Sequence, residues 1–228
     1  MLELKGEKVI KGRKLCMDTM VTEADSHYPT DTALLADGIS VITRTVTKLR
    51  KVGAEIGNGF VNHTRKVKRI CLGVTKLLQK RISKDNAGLV KSKRLLLEIA
   101  KSVIASGREV KTQIEGLGEK QSPIISRLAE QLNGWIAVTE RIMEQAEEVF
   151  KGHVSLPHRV VSIFNTGTLP IRRGKARADT GFGRKVLIGE TGHGIITTNK
   201  VLKENPADAT LLNSGVRGHR RLFRKRPK

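Results

Sequence analysis

The sequence predicts an α+β protein in which a small sheet is interrupted by a long all-helical insertion. Three observations predict this class. A strand-like run stands at residues 14–22, apolar residues recur at helical spacing between 34 and 149, and short β-rich runs return after 156. We therefore divide the chain into three parts: a first core strand (1–30), the helical insertion (31–155), and the remaining core strands with a helix and a basic tail (156–228).

The first strand is predicted from KLCMDTMVT, which mixes apolar and β-branched residues over strand length. The polar stretch EADSHYPTD follows, and Pro29 disfavours helix at the residue before it. From about Thr30 the apolar spacing becomes helical, and Thr30 or Asp31 is placed to cap the helix. We expect a strand, a turn and a long helix, in that order.

The insertion contains four stretches in which apolar side chains recur three or four residues apart, at 34–49, 67–78, 96–103 and 125–149. Helix-ending Gly, Asn or Pro residues separate them at 57–59, 85–88 and 116–123. Trp135 follows the same spacing, which favours a core position over a stacking surface. A helical bundle or hairpin is therefore expected.

The sheet is predicted to resume in RVVSIF, RKVLIGE and GIITTNKVL, which are separated by glycine-containing turns. After them, Asn205, Pro206 and Asp208 have the pattern of an N-cap, a first-position proline and a first-turn acid. This pattern predicts a helix through Leu211 and Leu212 and accounts for Asp208 as a structural residue.

The charge of the chain indicates a polyanionic partner. Of its 228 residues, 43 are Lys or Arg and 22 are Asp or Glu, which gives a net charge of +21. Only 3% of residues are aromatic, too few for base-stacking platforms, so double-stranded DNA is favoured. Residues 38–111 hold 18 basic against 4 acidic residues, and residues 112–150 hold 3 against 7. The two halves of the insertion could therefore pair electrostatically.

Several classes of protein find no support. Cys16 and Cys71 lack the spacing of a disulfide framework or a zinc site, and no apolar run reaches the ~18 residues of a membrane span. Neither a phosphate-binding glycine loop nor a nucleophile motif is present. We expect a cytoplasmic protein that is associated with the nucleoid through DNA and has no membrane partner. Whether it forms a homodimer is left open.

Two blocks of sequence resemble the DDE-type insertion-sequence transposases. The segment LCMDTMVTEADSHYPTDTALLADGI is similar to their opening strand and helix, with Asp18, Thr19 and the run HYPTD at matching positions. The block RVVSIFNTGTLPIRRGKARADTGFGRKVLIGE is similar to the strand, basic turn and FG element of the same family, and ENPADATLL resembles its next helix start. Together the matches cover about a third of the chain.

The resemblance implies a partial ribonuclease-H-like mixed sheet and an aspartate that ligates metal. Asp18 is then a catalytic residue, the first of three carboxylates around two Mg²⁺ or Mn²⁺ ions that promote phosphoryl transfer. By resemblance the other two carboxylates lie beyond Lys228. We expect a fragment that is inactive in strand cleavage and transfer, does not hold metal tightly, and binds DNA at transposon ends.

The best candidates for DNA contact surround a glycine-rich turn in which Asp179 is the only acid: Arg172, Arg173, Lys175, Arg177, Arg184 and Lys185. A solvated basic loop is the competing interpretation. Glu23, Asp25 and Asp31 are explained as turn or helix-start acids and are left out of the site. His27 is expected to pack beside the site of Asp18.

Two other interpretations stay open. The chain could be a basic helical nucleic-acid-binding protein without catalysis, which accounts for the charge but not for the motif around Asp18. It could also be a fragment that does not fold stably, because a ribonuclease-H-like sheet without its later strands has a long unpaired edge.

Overall fold

The computed structural model describes residues 12–24, 29–53, 56–80, 86–118, 122–153, 155–172 and 180–227. These residues contain five helices and four strands, which confirms the α+β class. In chain order the elements are β1 (Leu15–Glu23), α1 (Asp31–Val52), α2 (Thr64–Gln79), α3 (Ala87–Glu115), α4 (Pro123–Phe150), β2 (Leu169–Arg172), β3 (Thr180–Thr191), β4 (Ile196–Val201) and α5 (Asp208–Phe223). None of the described helices is long and apolar enough to cross a membrane.

The chain divides into two compact units. Residues 1–27 and 167–228 contribute to the first, which we call the sheet unit, and residues 28–166 form the second, the helical unit. All four described strands and α5 belong to the sheet unit, and α1–α4 belong to the helical unit.

The sheet is organised around β3, the longest described strand. On one side β1 pairs with it antiparallel, from Leu15 opposite Thr191 to Glu23 opposite Gly183. On the other side β2 and β4 pair with different parts of β3, both antiparallel, with an irregularity at Gly189 and Glu190. Every pairing between described strands is thus antiparallel, and the mixed ribonuclease-H-like sheet stays a prediction.

Alternation along β3 decides which face of the sheet α5 covers. The odd-numbered residues from Gly181 to Thr191 are buried, whereas the even-numbered ones are partly exposed. Leu187 packs with Leu202, Leu211 of α5 and the half-buried Met17 of β1. A β-carbon on Gly215 would lie 2.1 Å from Met17 Cε, so a larger residue there would displace the end of the Met17 side chain.

The residues just before β1 are held against the end of α5. His219 is fully buried, and its Nε2 lies 2.9 Å from the carbonyl oxygen of Gly12. Gly12 has a φ of +53°, and a β-carbon there would lie 2.3 Å from the ring of Phe223. Both the backbone conformation and the close contact therefore require glycine at this position.

The helical unit has a core formed mainly by α1, α3 and α4. Thr30 caps α1 by accepting the Ala33 N–H at 3.1 Å, and Asn86 caps α3 in the same way. Gly38 of α1 faces the buried Thr139 of α4, and a β-carbon on it would lie 2.6 Å from the Thr139 side chain. The four predicted helical stretches are confirmed, and residues 57–59 and 116–118 lie between helices as predicted. Residues 87, 88 and 123, predicted as parts of breaks, belong to helices instead, and residues 85 and 119–121 lie outside the described residues.

The predicted strand at RVVSIF is wrong, because residues 159–164 form no strand. Val160 and Ile163 are buried in the core of the helical unit instead. The Gln145 side chain takes the place of a neighbouring strand: its Oε1 accepts the Val160 N–H at 2.9 Å, and its Nε2 lies 3.3 Å from the Val160 carbonyl oxygen. The apolar β-branched residues of this segment therefore pack in a core of helices, not in a sheet.

The predicted start of the last helix is also wrong. Helix α5 begins at Asp208, its N-cap is Ala207 in an extended conformation, and no side chain caps it. The carbonyl oxygen of Pro206 accepts a hydrogen bond from Lys185 Nζ at 2.8 Å, so this part of the chain is bound to β3 before the helix begins. Asp208 is a first-turn acid, as predicted.

Candidate functional site at the edge of the sheet

Asp18 lies in the middle of β1, which is an edge strand of the described sheet. It is exposed and stands opposite Ile188 of β3. Its Oδ1 accepts the backbone N–H of Thr19 at 2.7 Å, which orients the carboxylate along the strand. The sequence therefore places an accessible acid on a rigid element rather than in a loop.

A second carboxylate lies at the same place. Asp18 and Asp208 both line an open pocket of about 200 Å³, together with Met17, Thr19, Leu187, Ala209 and Leu212. Asp208 belongs to the first turn of α5, and the strand order brings that turn to β1. The structure thus brings together two acids that are far apart in the sequence.

Thr19 connects the two carboxylates. Its N–H donates to Asp18, and its Oγ1 donates to Asp208 Oδ1 at 3.0 Å. Because side chains alternate along a strand, Thr19 faces α5, whereas the Asp18 side chain starts from the opposite face. One residue therefore fixes the carboxylate of its neighbour through the backbone and the carboxylate of Asp208 through its hydroxyl.

Lys185 of β3 completes this network. Its Nζ lies 2.5 Å from Asp208 Oδ1, and its side chain is almost fully buried. The hydrogen bond from Lys185 is the main cause that holds the pKa of Asp208 below its usual value, and the bond from Thr19 adds to it. Asp208 is thus a carboxylate that stays charged and is already engaged by an ammonium group.

The described residues do not form a complete two-metal site. Within them, no group of three or more His, Cys, Asp or Glu side chains could hold a metal ion. Asp18 offers oxygen ligands of the hard type that Mg²⁺ and Mn²⁺ prefer, but Asp208 also binds Lys185. The fit is therefore partial, and no metal-dependent step can be assigned to these residues alone.

The predicted DNA-contact residues have different environments. Arg173, Lys175 and Arg177 lie outside the described residues. Arg172 is exposed at the end of β2, and the partly buried Arg184 guanidinium packs against Gly167. Lys185 faces α5 and binds Asp208, so within this structure its ammonium has a partner in the chain. The DNA-contact assignment stays a prediction for all six.

Arg172 and Arg184 share a face of the sheet with Asp18. Asp18 stands opposite Ile188, and Arg172 stands opposite Thr180. Since Thr180, Arg184 and Ile188 alternate to the same side of β3, these side chains start from one face. Arg184 and Ile188 are four residues apart, which corresponds to about 13 Å along the strand.

Some residues considered from the sequence fall elsewhere. Asp25 and His27 lie outside the described residues. Asp31 belongs to the helical unit, where Arg159 NH2 lies 2.9 and 3.0 Å from its two carboxylate oxygens and Gln145 Nε2 lies 2.7 Å from Oδ1. Asp31 is therefore more than an acid at the start of a helix. It also binds two side chains that lie 114 and 128 residues away in the sequence.

Comparison with known proteins identifies no relative. No protein-family model matches the chain, and neither a curated protein nor a solved structure does. The resemblance to DDE-type transposases therefore rests on the sequence motifs around Asp18 alone.

Proposed function

We propose that this chain is part of the catalytic domain of a DDE-type transposase and that it binds double-stranded DNA without cleaving it. The observation that carries the proposal is the position of Asp18. The aspartate of the transposase-like motif lies exposed on an edge strand, in a pocket with a second carboxylate. A ribonuclease-H-like mixed sheet is proposed on the same grounds, with β1, β3 and β4 as its antiparallel part.

In the complete enzyme, Mg²⁺ or Mn²⁺ would supply the electrophilic stabilisation that phosphoryl transfer needs. Asp18 is proposed as one ligand. What this chain contributes is the orientation of that ligand, since the Thr19 N–H holds Asp18 and the Lys185–Asp208 pair holds Thr19. With these groups alone, any divalent ion is expected to bind weakly.

The proposed partner is double-stranded DNA, with association to the nucleoid as the consequence. The net charge of +21 supports it, as do two arginines on the face of the sheet that carries Asp18. For 6 to 10 phosphate contacts, affinity for a duplex is expected to fall by roughly 10³ to 10⁵ between 50 and 200 mM salt. Affinity that does not depend on salt would contradict this partner.

The metal-ligand assignment is tested by Mn²⁺, whose unpaired electrons broaden the NMR signals of nearby nuclei. At millimolar Mn²⁺, we expect broadening centred on Met17, Asp18 and Thr19, and its loss in Asp18→Asn. A matched control is Glu204→Gln, an exposed acid in the same unit but outside the pocket. This control is expected to leave the broadening unchanged.

The second candidate is a basic nucleic-acid-binding protein without metal chemistry. The strongly basic surface of α2, described below, favours it. Broadening that spreads evenly over the acidic residues and does not depend on Asp18 would support this candidate and reject the transposase assignment.

A further inference from the structure

Helix α2 is the most basic element of the helical unit. Residues 57–80 contain six Lys or Arg residues and no Asp or Glu. These six residues form what we call the α2 basic face: Arg65, Lys66, Lys68, Arg69, Lys76 and Lys80, all of them exposed. The helix carries them away from the core, because only Val67 and Val74 are buried within it.

The helix lies on the outside of the bundle, in contact with α1 and α3. Arg69 and Lys76 are about 200° around the helix from the buried Val67 and Val74, so they point away from the bundle. Gly73 lies between them on the exposed side, and a β-carbon there would have no atom within 4 Å. Lys66, Arg69, Lys76 and Lys80 are its neighbours at helical spacing.

The acidic half of the helical unit does not neutralise this face. Glu147 of α4 pairs with Lys101 of α3 at 2.7 Å, and Glu140 pairs with Arg108 at 2.5 Å. The expected electrostatic pairing therefore exists, but it joins α3 to α4. Within the described residues, no acidic side chain pairs with any member of the α2 basic face.

One acid of α1 acts electrostatically on the bundle-facing side of α2. Burial raises the pKa of the half-buried Cys71 thiol, and the nearby negative charge of Asp37 of α1 raises it further. Cys71 faces the bundle, and its Sγ lies 3.8 Å from the carbonyl oxygen of Thr32. The charge of Asp37 thus acts on Cys71, which lies on the side of α2 roughly opposite Arg69 and Lys76.

A membrane surface is a poor match for this helix. An amphipathic helix binds lipid by burying its apolar face among the acyl chains. In α2 that face is already packed in the bundle, and its large exposed apolar residues are Leu72 and Leu78. The basic residues of α2 are therefore exposed without the continuous apolar face that insertion into a membrane needs.

We infer that the α2 basic face is a docking surface for the phosphates of double-stranded DNA. An α-helix with its side chains is about 10–12 Å wide and fits the ~12 Å major groove of B-form DNA, whereas the deep, narrow major groove of RNA does not admit it. Lys66 and Lys80 are about 21 Å apart along the axis, so the cations can reach phosphates along one groove. Gly73 lets the nucleic acid approach the helix backbone closely.

This inference rests on the DNA partner of the proposed function but not on its metal chemistry. It assigns contact with DNA to the helical unit, in addition to the basic residues of the sheet unit. Loss of DNA binding through α2 and loss of Mn²⁺ binding through Asp18 are separate measurements, so one assignment can fail while the other stands.

The experiment measures binding of the full chain to a fluorescent 20-base-pair duplex at several salt concentrations. In the triple variant Lys66→Gln, Arg69→Gln, Lys76→Gln, we expect Kd to rise at least about tenfold at 100 mM salt. The slope of log K against log salt should fall by about 2 to 3, which corresponds to three lost phosphate contacts. Circular dichroism should show unchanged helix content.

A matched pair of glycine variants separates local charge from net charge. Gly73→Glu and Gly134→Glu both place an acid in open space on an exposed helical surface, and they change the net charge equally. We expect Gly73→Glu to weaken duplex binding at least about fivefold more than Gly134→Glu, since only the first introduces repulsion at the docking surface.

Three outcomes would overturn the inference. They are equal losses in the two glycine variants, an unchanged salt slope in the triple variant, and a triple variant that loses binding only to acidic vesicles or to polyglutamate. If wild type binds no duplex at 50 mM salt, the inference is also rejected.

Discussion

Lys185 Nζ and Asp208 Oδ1 lie 2.5 Å apart, joining the middle of β3 to the first turn of α5. Lys185 is nearly buried, whereas the Asp208 side chain is 67% exposed. The pair is the structural link between the pocket of Asp18 and the core of the sheet unit.

Stability is expected to depend on this pair through pH. The folded-state pKa of Asp208 is lowered, so its contribution is present above the pKa of the unfolded chain and is lost as pH falls through the folded value. Wild type should therefore be more stable than Asp208→Asn at pH 7, and the difference should shrink as pH falls below roughly 4. Urea unfolding at several pH values measures this; a difference that is constant from pH 7 to pH 2 would contradict it.

The close contact between Gly38 and Thr139 predicts opposite effects of the same substitution in two helices. Gly38→Ala should destabilise the helical unit by about 1–3 kcal/mol, because the new methyl group overlaps a buried, β-branched side chain. Gly134→Ala, in open space on α4, should stabilise it by up to about 1 kcal/mol. The only tryptophan, Trp135, lies in α4, so its fluorescence reports on this unit during urea unfolding. Equal effects of the two substitutions would show that α1 and α4 do not meet as described.

The Asp31 network predicts a large effect of a small truncation. Asp31→Ala removes the carboxylate that binds Arg159 and Gln145, and leaves the partly buried guanidinium without its acid. We expect a loss of about 2–3 kcal/mol in the free energy of unfolding, followed by Trp135 fluorescence. Glu130→Ala, which removes the same charge from an exposed position of α4 outside this network, is the control. A loss below about 0.5 kcal/mol would mean that the network contributes little.

The 228-residue chain is expected to bind DNA without cutting it. The reason is that Asp18 and a Lys-paired Asp208 are the carboxylates that the described pocket provides. Incubation of a supercoiled plasmid with the chain and Mg²⁺ or Mn²⁺ should leave the plasmid intact. Metal-dependent nicking that is lost in Asp18→Ala would prove this expectation wrong and would point to further ligands.

Local patterns in the sequence were enough for most of the secondary structure. Helices α1 to α4, β1, β3 and β4 follow from apolar periodicity, and the cap of α1 is Thr30, one of the two residues that the sequence offers for it. The two errors share a cause, since both depended on partners remote in sequence. Residues 159–164 are β-branched, but Gln145 and the helical core hold Val160, and α5 starts late where Lys185 binds Pro206.

The candidate site could be predicted only in part, for the same reason. Asp18 was found because the residues around it follow a recognisable motif. Asp208 was explained as an acid in the first turn of a helix. Its hydrogen bond with Thr19 could not be predicted, because Thr19 is 189 residues away and no local pattern connects the two residues. Strand pairing creates this proximity, and the register of β1 on β3 cannot be read from either strand alone.

The order of the chain also has a consequence for how the protein folds. Leu15 pairs with Thr191 and Glu23 with Gly183, so β1 and its partner are 160 to 176 residues apart, with the whole helical unit between them. During synthesis β1 emerges first but must wait, unpaired, until β3 follows, whereas α1 to α4 can pack as soon as they appear. We expect pulsed hydrogen exchange during refolding to protect the helices before β1. The strand that carries Asp18 is then among the last parts of the molecule to gain its structure.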